Sequence, residues 1–286
     1  MRLGVFLVVI VGTLAFLFLN RTGDGTASAQ VLSTLRTGDY HSLAISPSDP
    51  KTVFFGHHGG IKKSTDGGKT WQDLPINQDA MGMVISPKEP EVMYIAGHDV
   101  YAKSTDGGKT WQADRPALPG TDIHAFAMSP SDPKHLYAYV VEANSLFESR
   151  DGGSSWQPLP GEAPQGIMGL GIAAGDPETI LAATMRQGVM RSTDGGRTWS
   201  SGGGSLPGGS MSFATSPGSP GLVYSASSSG VYRSDDAGAT WRPAGLEGVR
   251  VMTVAAAPTD PKIIQAVDDK GRVYRSTDGG ASWTGE

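Results

Sequence analysis

One octapeptide governs what this chain can fold into. Ser64-Thr65-Asp66-Gly67-Gly68-Lys69-Thr70-Trp71 recurs with small changes in copies ending at Trp111, Trp156, Trp199, Trp241 and Trp283, at intervals of 40 to 45 residues, and these copies account for all six tryptophans. Such an interval is the length of one four-stranded antiparallel unit with short turns. A second motif precedes each copy, at 46–50 (Ser-Pro-Ser-Asp-Pro), 86–90, 129–133, 173–177, 216–220 and 257–261. It reads as a turn. Between these signals the first unit offers strands at about 41–46, 53–56, 61–64 and 70–74, rich in β-branched and aromatic residues.

Six such sheets cannot each bury a face alone. Stacking them radially around an axis solves the problem and leaves only short edges. The expected fold is all-β, a six-bladed β-propeller of four-stranded antiparallel blades over residues 30–286. Segment 31–35 occupies, before the first unit, the place that the post-Trp segment occupies before each later one. It is therefore expected to pair into the sixth blade as its outer strand and cover an edge. The 40 Gly and 19 Pro in 286 residues are too many for a helical bundle. A net charge of -5 with 18% charged residues leaves no basic face for nucleic acid. The absence of Cys excludes disulfides, thiolate-bound metal and a thiol nucleophile.

Residues 3–19 carry no charge and are flanked by Arg2 and Arg21, and Ala27-Ser28-Ala29 before Gln30 has the small-x-small form of a cleavage site. Residues 1–29 are read as a signal peptide or a retained N-terminal membrane anchor. Either one makes the rest an extracytoplasmic protein, expected to be monomeric and to touch membrane only through that segment.

Within each octapeptide the Ser and Asp side chains are expected to hydrogen-bond local amides, and the Gly pair to take positive φ. The Trp ring then fills the gap between sheets. The structural carboxylates are Asp66, Asp106, Asp151, Asp194, Asp236 and Asp278. In the fifth copy Ala237 replaces the first Gly, which predicts a distorted turn. The S-x-D-x-G-x-x-W pattern, six times over residues 41–286, resembles the Asp-box (BNR) repeat family, and that resemblance implies the propeller. The repeat is shared by sialidases, xyloglucan-degrading glycosidases, sortilin-type receptors and photosystem II assembly factors, so it speaks for fold rather than activity. The short exported form is similar to small bacterial proteins called glycosyl hydrolases largely through their repeats.

Because antiparallel strands alternate direction, strand-one starts and strand two-to-three loops share one end of the ring, the top, with the boxes at the other. Five of the six histidines fall at the top: His41 and His124 at strand-one starts, and His57, His58 and His98 in loops. Aligned strand-one starts place His41, Met81, His124, Met168, Met211 and Met252 at one equivalent position. Two residues earlier stand Asp39, Asp79 and Asp122 in blades one to three, against Gly166, Gly209 and Arg250 in the others. Plain packing of Met, core-edge imidazoles and turn-capping Asp account for much of this pattern. The sharper reading is a soft-metal site, for copper as Cu(I), drawing on His41, Met81 and His124, with His57, His58 and His98 as nearby donors.

A glycosidase would need converging carboxylates, for which Asp39, Asp79 and Asp122 are the candidates, with Glu142 nearby. The sialidase likeness lacks an Arg-Ile-Pro segment, and the top offers mainly Arg186 and Arg250 instead of three arginines. Xyloglucanases pair two larger propellers, whereas this chain supplies one small one. The expectation is a non-catalytic binding or assembly module whose top face takes a protein, glycan or metal ligand; the alternative is a glycoside hydrolase of sialidase-like or xyloglucanase-like type.

Overall fold

The computed structural model describes residues 29–114, 116–175, 177–202 and 206–284. The leader expected over residues 1–29 lies outside these apart from its last residue. Among the described residues no helix is long and apolar enough to cross a membrane.

The chain begins with a short strand, β1 (Ser33–Thr34). Blade one is β2 (Ser42–Ile45), β3 (Val53–His57), β4 (Gly60–Ser64) and β5 (Gln72–Asp73), and blade two is β6 (Gly82–Ile85), β7 (Met93–Gly97), β8 (Val100–Ser104) and β9 (Gln112–Ala113). Blade three is β10 (Ile123–Met128), β11 (Leu136–Val140), β12 (Ser145–Ser149) and β13 (Gln157–Pro158), and blade four is β14 (Ile167–Ala173), β15 (Thr179–Thr184), β16 (Gly188–Ser192) and β17 (Ser200–Ser201). Blade five is β18 (Ser212–Thr215), β19 (Val223–Ser227), β20 (Gly230–Ser234) and β21 (Arg242–Pro243), and blade six contributes β22 (Val251–Ala256), β23 (Ile264–Asp268) and β24 (Arg272–Ser276). Each of the first five blades is a four-stranded antiparallel sheet in chain order, and the sixth is completed by β1 on the outside of β24. The outer strand is shorter than the sequence suggests, two residues where 70–74 was expected in blade one.

Second strands such as β7 and β11 are buried along their whole length, because both faces of a blade pack against neighbours. The core accordingly lies between blades. Phe54 and Ala44 of blade one pack with Met83, Met93 and Ile95 of blade two, and Tyr94 and Tyr101 of blade two with Phe126, Leu136 and Trp156 of blade three. Inner strands touch in ring order, and β2 meets β22 to close the circle.

Closure rests on β1 as well. Ser33 pairs with Val273 and Thr34 with Arg272, Leu35 packs in a cluster with Leu43, Phe55, Val267 and Val273, and the Trp71 indole N–H donates to Ser33 Oγ at 3.1 Å. The segment thus joins the last blade to the first.

The boxes follow one plan. In blade one, Ser64 Oγ accepts the Gly68 amide at 2.8 Å and donates to Asp66 Oδ1 at 2.8 Å, while Asp66 accepts the Thr70 amide at 2.9 Å and its hydroxyl at 2.6 Å. Both glycines have positive φ, 78° and 93° for Gly67 and Gly68, but for different needs. A Cβ on the second would lie 1.9 Å from the Gln265 side chain in blade one, 2.0 Å from the Tyr101 hydroxyl at Gly153 and 2.6 Å from Leu181 at Gly238. The second position therefore needs both the conformation and the space. The first needs only the conformation, and Ala237 supplies it at φ 53°. Contrary to the expected distortion, the fifth box keeps its bonds: the Gly238 amide reaches Ser234 Oγ at 2.8 Å and the Thr240 amide Asp236 Oδ1 at 2.8 Å. A left-handed non-Gly residue costs about 1–2 kcal/mol, partly offset because Gly loses more freedom on folding. Ala237→Gly should therefore raise stability by up to about 1 kcal/mol in urea unfolding; a lower midpoint would show that the turn is not strained.

Trp156 and Trp283 are buried, whereas Trp71, Trp111, Trp199 and Trp241 are partly exposed. The expectation of six buried rings holds for these two, each packed against the preceding blade: Trp156 edge-on to Tyr101 of blade two, and Trp283 with its indole N–H on the Ala244 carbonyl of blade five.

The box carboxyls carry a pH consequence. The Asp106, Asp151, Asp194 and Asp236 carboxyls are held down to about 2, first by the hydroxyls of Thr110, Ser155, Thr198 and Thr240 and then by the same residues' amides. Depressed folded-state values mean that this contribution to stability is complete above the unfolded carboxyl range and is lost as the pH falls toward 2. The thermal midpoint should be level down to about pH 5 and decline progressively below about pH 4. A midpoint unchanged down to pH 2 would contradict the box bonding.

Candidate functional site

Strand register confirms the alignment of strand-one starts, since Ser42 pairs with Gly56, Gly82 with Ala96, Ala125 with Tyr139, and Gly169, Ser212 and Thr253 with Ala183, Ala226 and Val267. His41, Met81 and Met211 sit directly before their strands. His124, Met168 and Met252 are the extra residues of bulges, where the register skips from Ile123 to Ala125, Ile167 to Gly169 and Val251 to Thr253. A bulge re-aims a side chain at a strand end.

Five of these six residues, all but Met252, line an axial funnel of about 90 Å³. A second, more apolar axial hollow of about 150 Å³ opens from the box side. Both are lined by Leu43, Met83, Phe213 and Val254, which plug the middle of the axis.

Polar chemistry gathers beside the funnel, over blades one to three. His58 and His98 are the first residues of equivalent two-residue turns, β3–β4 and β7–β8. Each turn is capped by the aspartate that precedes its own blade: the His58 amide donates to Asp39 Oδ1 at 2.9 Å, and the His98 amide to Asp79 Oδ2 at 2.9 Å. The imidazoles then bind the same carboxylates. His58 Nδ1 lies 2.9 Å from Asp39 Oδ2, and His98 Nδ1 lies 2.6 Å from Asp79 Oδ2. At one end His41 Nε2 is 3.0 Å from His58 Nε2 and 3.4 Å from Asp39 Oδ1. At the other, Asp122 Oδ1 lies 3.1 Å from His124 Nε2 and 3.8 Å from His98 Nε2. The rings run as one arc, with centroids 4.3, 5.4 and 5.2 Å apart from His41 through His58 and His98 to His124.

Burial, then the neighbouring His58 imidazole, lowers the His41 pKa below the ordinary histidine value. Asp79 is only 8% exposed, and its Oδ1 is buried without a hydrogen-bond partner, as is Asp122 Oδ1.

The structure separates His57 from this group. As the last residue of β3 it stacks on Phe55 at 6.0 Å, and its Nδ1 accepts the Gly59 amide at 3.1 Å. Glu142 caps backbone, accepting the Thr121 amide at 2.9 Å and the Asp122 amide at 3.2 Å. What comes together is thus four imidazoles and three carboxylates, with Met81 on the funnel wall.

Residues 62–73, 102–113 and 190–201 match the BNR/Asp-box repeat family. The chain is a six-bladed propeller that carries Asp-box repeats. No curated protein matches it. Among solved structures it is similar to an ancestral GH74 enzyme (20% identity, TM-score 0.57, 87% of this chain and 38% of that one) and to the GH74 xyloglucanase from Xanthomonas campestris (18%, 0.60, 89% and 46%). It is also similar to YCF48 bound to D1 peptide, at 19% identity and TM-score 0.52 over 90% of this chain and 82% of that one. The propeller spans less than half the length of the GH74 chains. At these identities the likeness is one of fold.

Two features of the Asp-box propeller escape sequence reasoning. At the box end, buried His135 places Nε2 2.7 Å from Glu148 of its own blade, while Tyr137 donates to Glu178 of blade four at 2.8 Å, and Ser129 donates to Glu178 as well. Burial opposes ionisation of Glu178, yet hydrogen bonds from His135, Ser129 and Tyr137 hold its carboxyl below the usual value. The network ties blade three to blade four. The second feature is a side cleft of about 670 Å³ between those blades, lined by Asn144, Glu162, Gln165, Gln187 and Trp199 among others. Its residues come from loops far apart in sequence, which leaves no local signal.

Proposed function

We propose that this Asp-box propeller is an exported, non-catalytic binding or assembly module that engages its ligand through the top face over blades one to three. The observation that carries this reading is the state of the rim carboxylates. Asp39, Asp79 and Asp122 each lie against an imidazole, and the first two also hold a turn amide, so no two of them flank an open groove as glycoside hydrolysis requires. The funnel of about 90 Å³ falls well below the roughly 300–1,000 Å³ of ordinary ligand pockets. A rim of this kind suits a protein segment lying across it. The recorded complex of YCF48 with D1 peptide supports a peptide as the class of partner.

A hydrolase remains the second reading, favoured by the GH74 likeness. The side cleft is large enough for a sugar and has an aromatic wall, but of its lining residues only Glu162 is a carboxylate. Binding of the full chain to peptide and glycan arrays separates these surfaces. The proposal expects a ligand whose binding falls at least about tenfold in a His58→Ala, His98→Ala variant, as for loss of contacts at a binding centre, and is unchanged in Gln187→Ala. Binding lost in Gln187→Ala and kept in the rim variant would move the functional surface to the side cleft.

A further inference from the structure

We propose that the end of the rim arc on blades two and three is a binding site for a divalent transition-metal ion of the zinc class, ligated by His98 Nε2, Asp122 Oδ1 and His124 Nε2. Asp79 positions His98 from behind. This rests on the reading of the top face as the binding surface and names the ion through which a partner atom would be held.

The geometry suits a cation. Asp122 Oδ1 is buried, accepts no hydrogen bond, and lies between two imidazole nitrogens at 3.1 and 3.8 Å. Metal–ligand bonds of about 2.0–2.2 Å in a tetrahedral shell place ligand atoms about 3.3 Å apart, so small rotations of exposed His98 complete the set. The His98 side chain is 47% exposed, which gives an ion a way in. Behind it, Asp79 Oδ2 takes the Nδ1 side of the ring at 2.6 Å and leaves Nε2 to face Asp122. A carboxylate on the far nitrogen of a ligating imidazole is the usual outer support of a metal-bound histidine. Asp79 is more than nine-tenths buried with Oδ1 unpartnered, a negative charge that burial penalises unless a cation stands close.

The donor set decides the class of ion. Two imidazoles and one carboxylate suit zinc and its neighbours, whereas calcium and magnesium prefer oxygen alone. Copper(I) favours thioether donors such as Met81, which lines the funnel with His41 and His124, whereas the donors of this triad are nitrogen and oxygen. Three protein ligands leave positions open toward solvent, where an oxygen or nitrogen of a bound partner can complete the shell. The triad Asp39, His41 and His58 has similar composition one blade earlier, so a clean test must silence it.

The test is a zinc(II) titration of the untagged, chelator-stripped full chain against a chromogenic chelator, with His41→Ala as the reference protein. One equivalent bound tighter than about 10 µM is expected there. In His41→Ala, His124→Ala that equivalent should be lost, with a metal-free melting temperature matching the reference to show that the fold is kept. His124→Gln in place of His124→Ala should give the same loss if the alanine variant melts early. Asp79→Asn on the reference should weaken zinc about 10- to 100-fold. Absence of competition by the reference protein, or an equivalent that survives both His124 replacements, would overturn the site. Array binding that persists after metal removal would leave the proposed binding face standing without it.

Discussion

Trp156→Ala should destabilise the propeller by about 3–5 kcal/mol, the cost of emptying a buried aromatic site. The ring sits between blades two and three, edge-on to Tyr101 at 6.2 Å and tilted against Phe126 at 6.5 Å, and its indole N–H donates to the Gly153 carbonyl at 3.1 Å. Truncation removes the packing and leaves that carbonyl, held at a positive-φ glycine, without its donor. The thermal midpoint should fall by about 6 °C or more. Trp156→Phe keeps most of the area and should recover most of the loss. Asp151→Ala should cost less than Trp156→Ala, because Asp151 is exposed and its bonds close only the local turn. None of these variants should change ligand affinity in the folded fraction, because the box lies at the opposite end of the ring from the His/Asp arc. A Trp156→Ala protein that melts like the parent would mean that inter-blade packing does not hold the ring together.

Deleting residues 30–36 should cost at least about 2–3 kcal/mol, since loss of buried Leu35 alone is a core truncation of that size. The deletion also removes the pairing of Ser33 and Thr34 with β24, the bond from the Leu35 amide to Gly271 at 2.8 Å, and the Ser33 hydroxyl that receives the Trp71 indole. Blade six would keep three strands and expose the β24 edge, so the ring should both melt earlier and open at the junction of blades six and one. Amide exchange would locate the effect: β23, β24 and the first box should lose protection first. Uniform protection with an unchanged midpoint would show that the ring closes without this strand.

The ring was legible because its evidence is periodic. Six tryptophans at near-constant spacing set the number of blades, and segment 31–35 stands before the first unit where the post-Trp segment stands before each later one, which marked it as the outer strand that pairs with β24. Alignment of strand-one starts likewise located the arc, since His41 and His124 share a register position with their equivalents. The details that differed depend on side-chain direction. His57 and His58 are neighbours in sequence, but His57 ends a strand and stacks on Phe55 while His58 enters the turn; adjacent strand positions point to opposite faces. Asp39 and Asp79 do cap turns, yet the amides they cap lie 19 residues downstream, across the blade. The His135–Glu178 network joins residues 43 apart in sequence, on different blades, and only the radial packing brings them together.

On the proposed function, the top face binds and does not hydrolyse. The most direct measurement is release of reducing sugar by the purified full chain from xyloglucan and from a panel of sialosides and other glycosides. No release above that of buffer is expected, for the parent and for Asp39→Asn, Asp79→Asn and Asp122→Asn alike. Release by the parent that disappears in any of the three aspartate variants, with the fold intact, would contradict the proposed function and make the arc a catalytic centre.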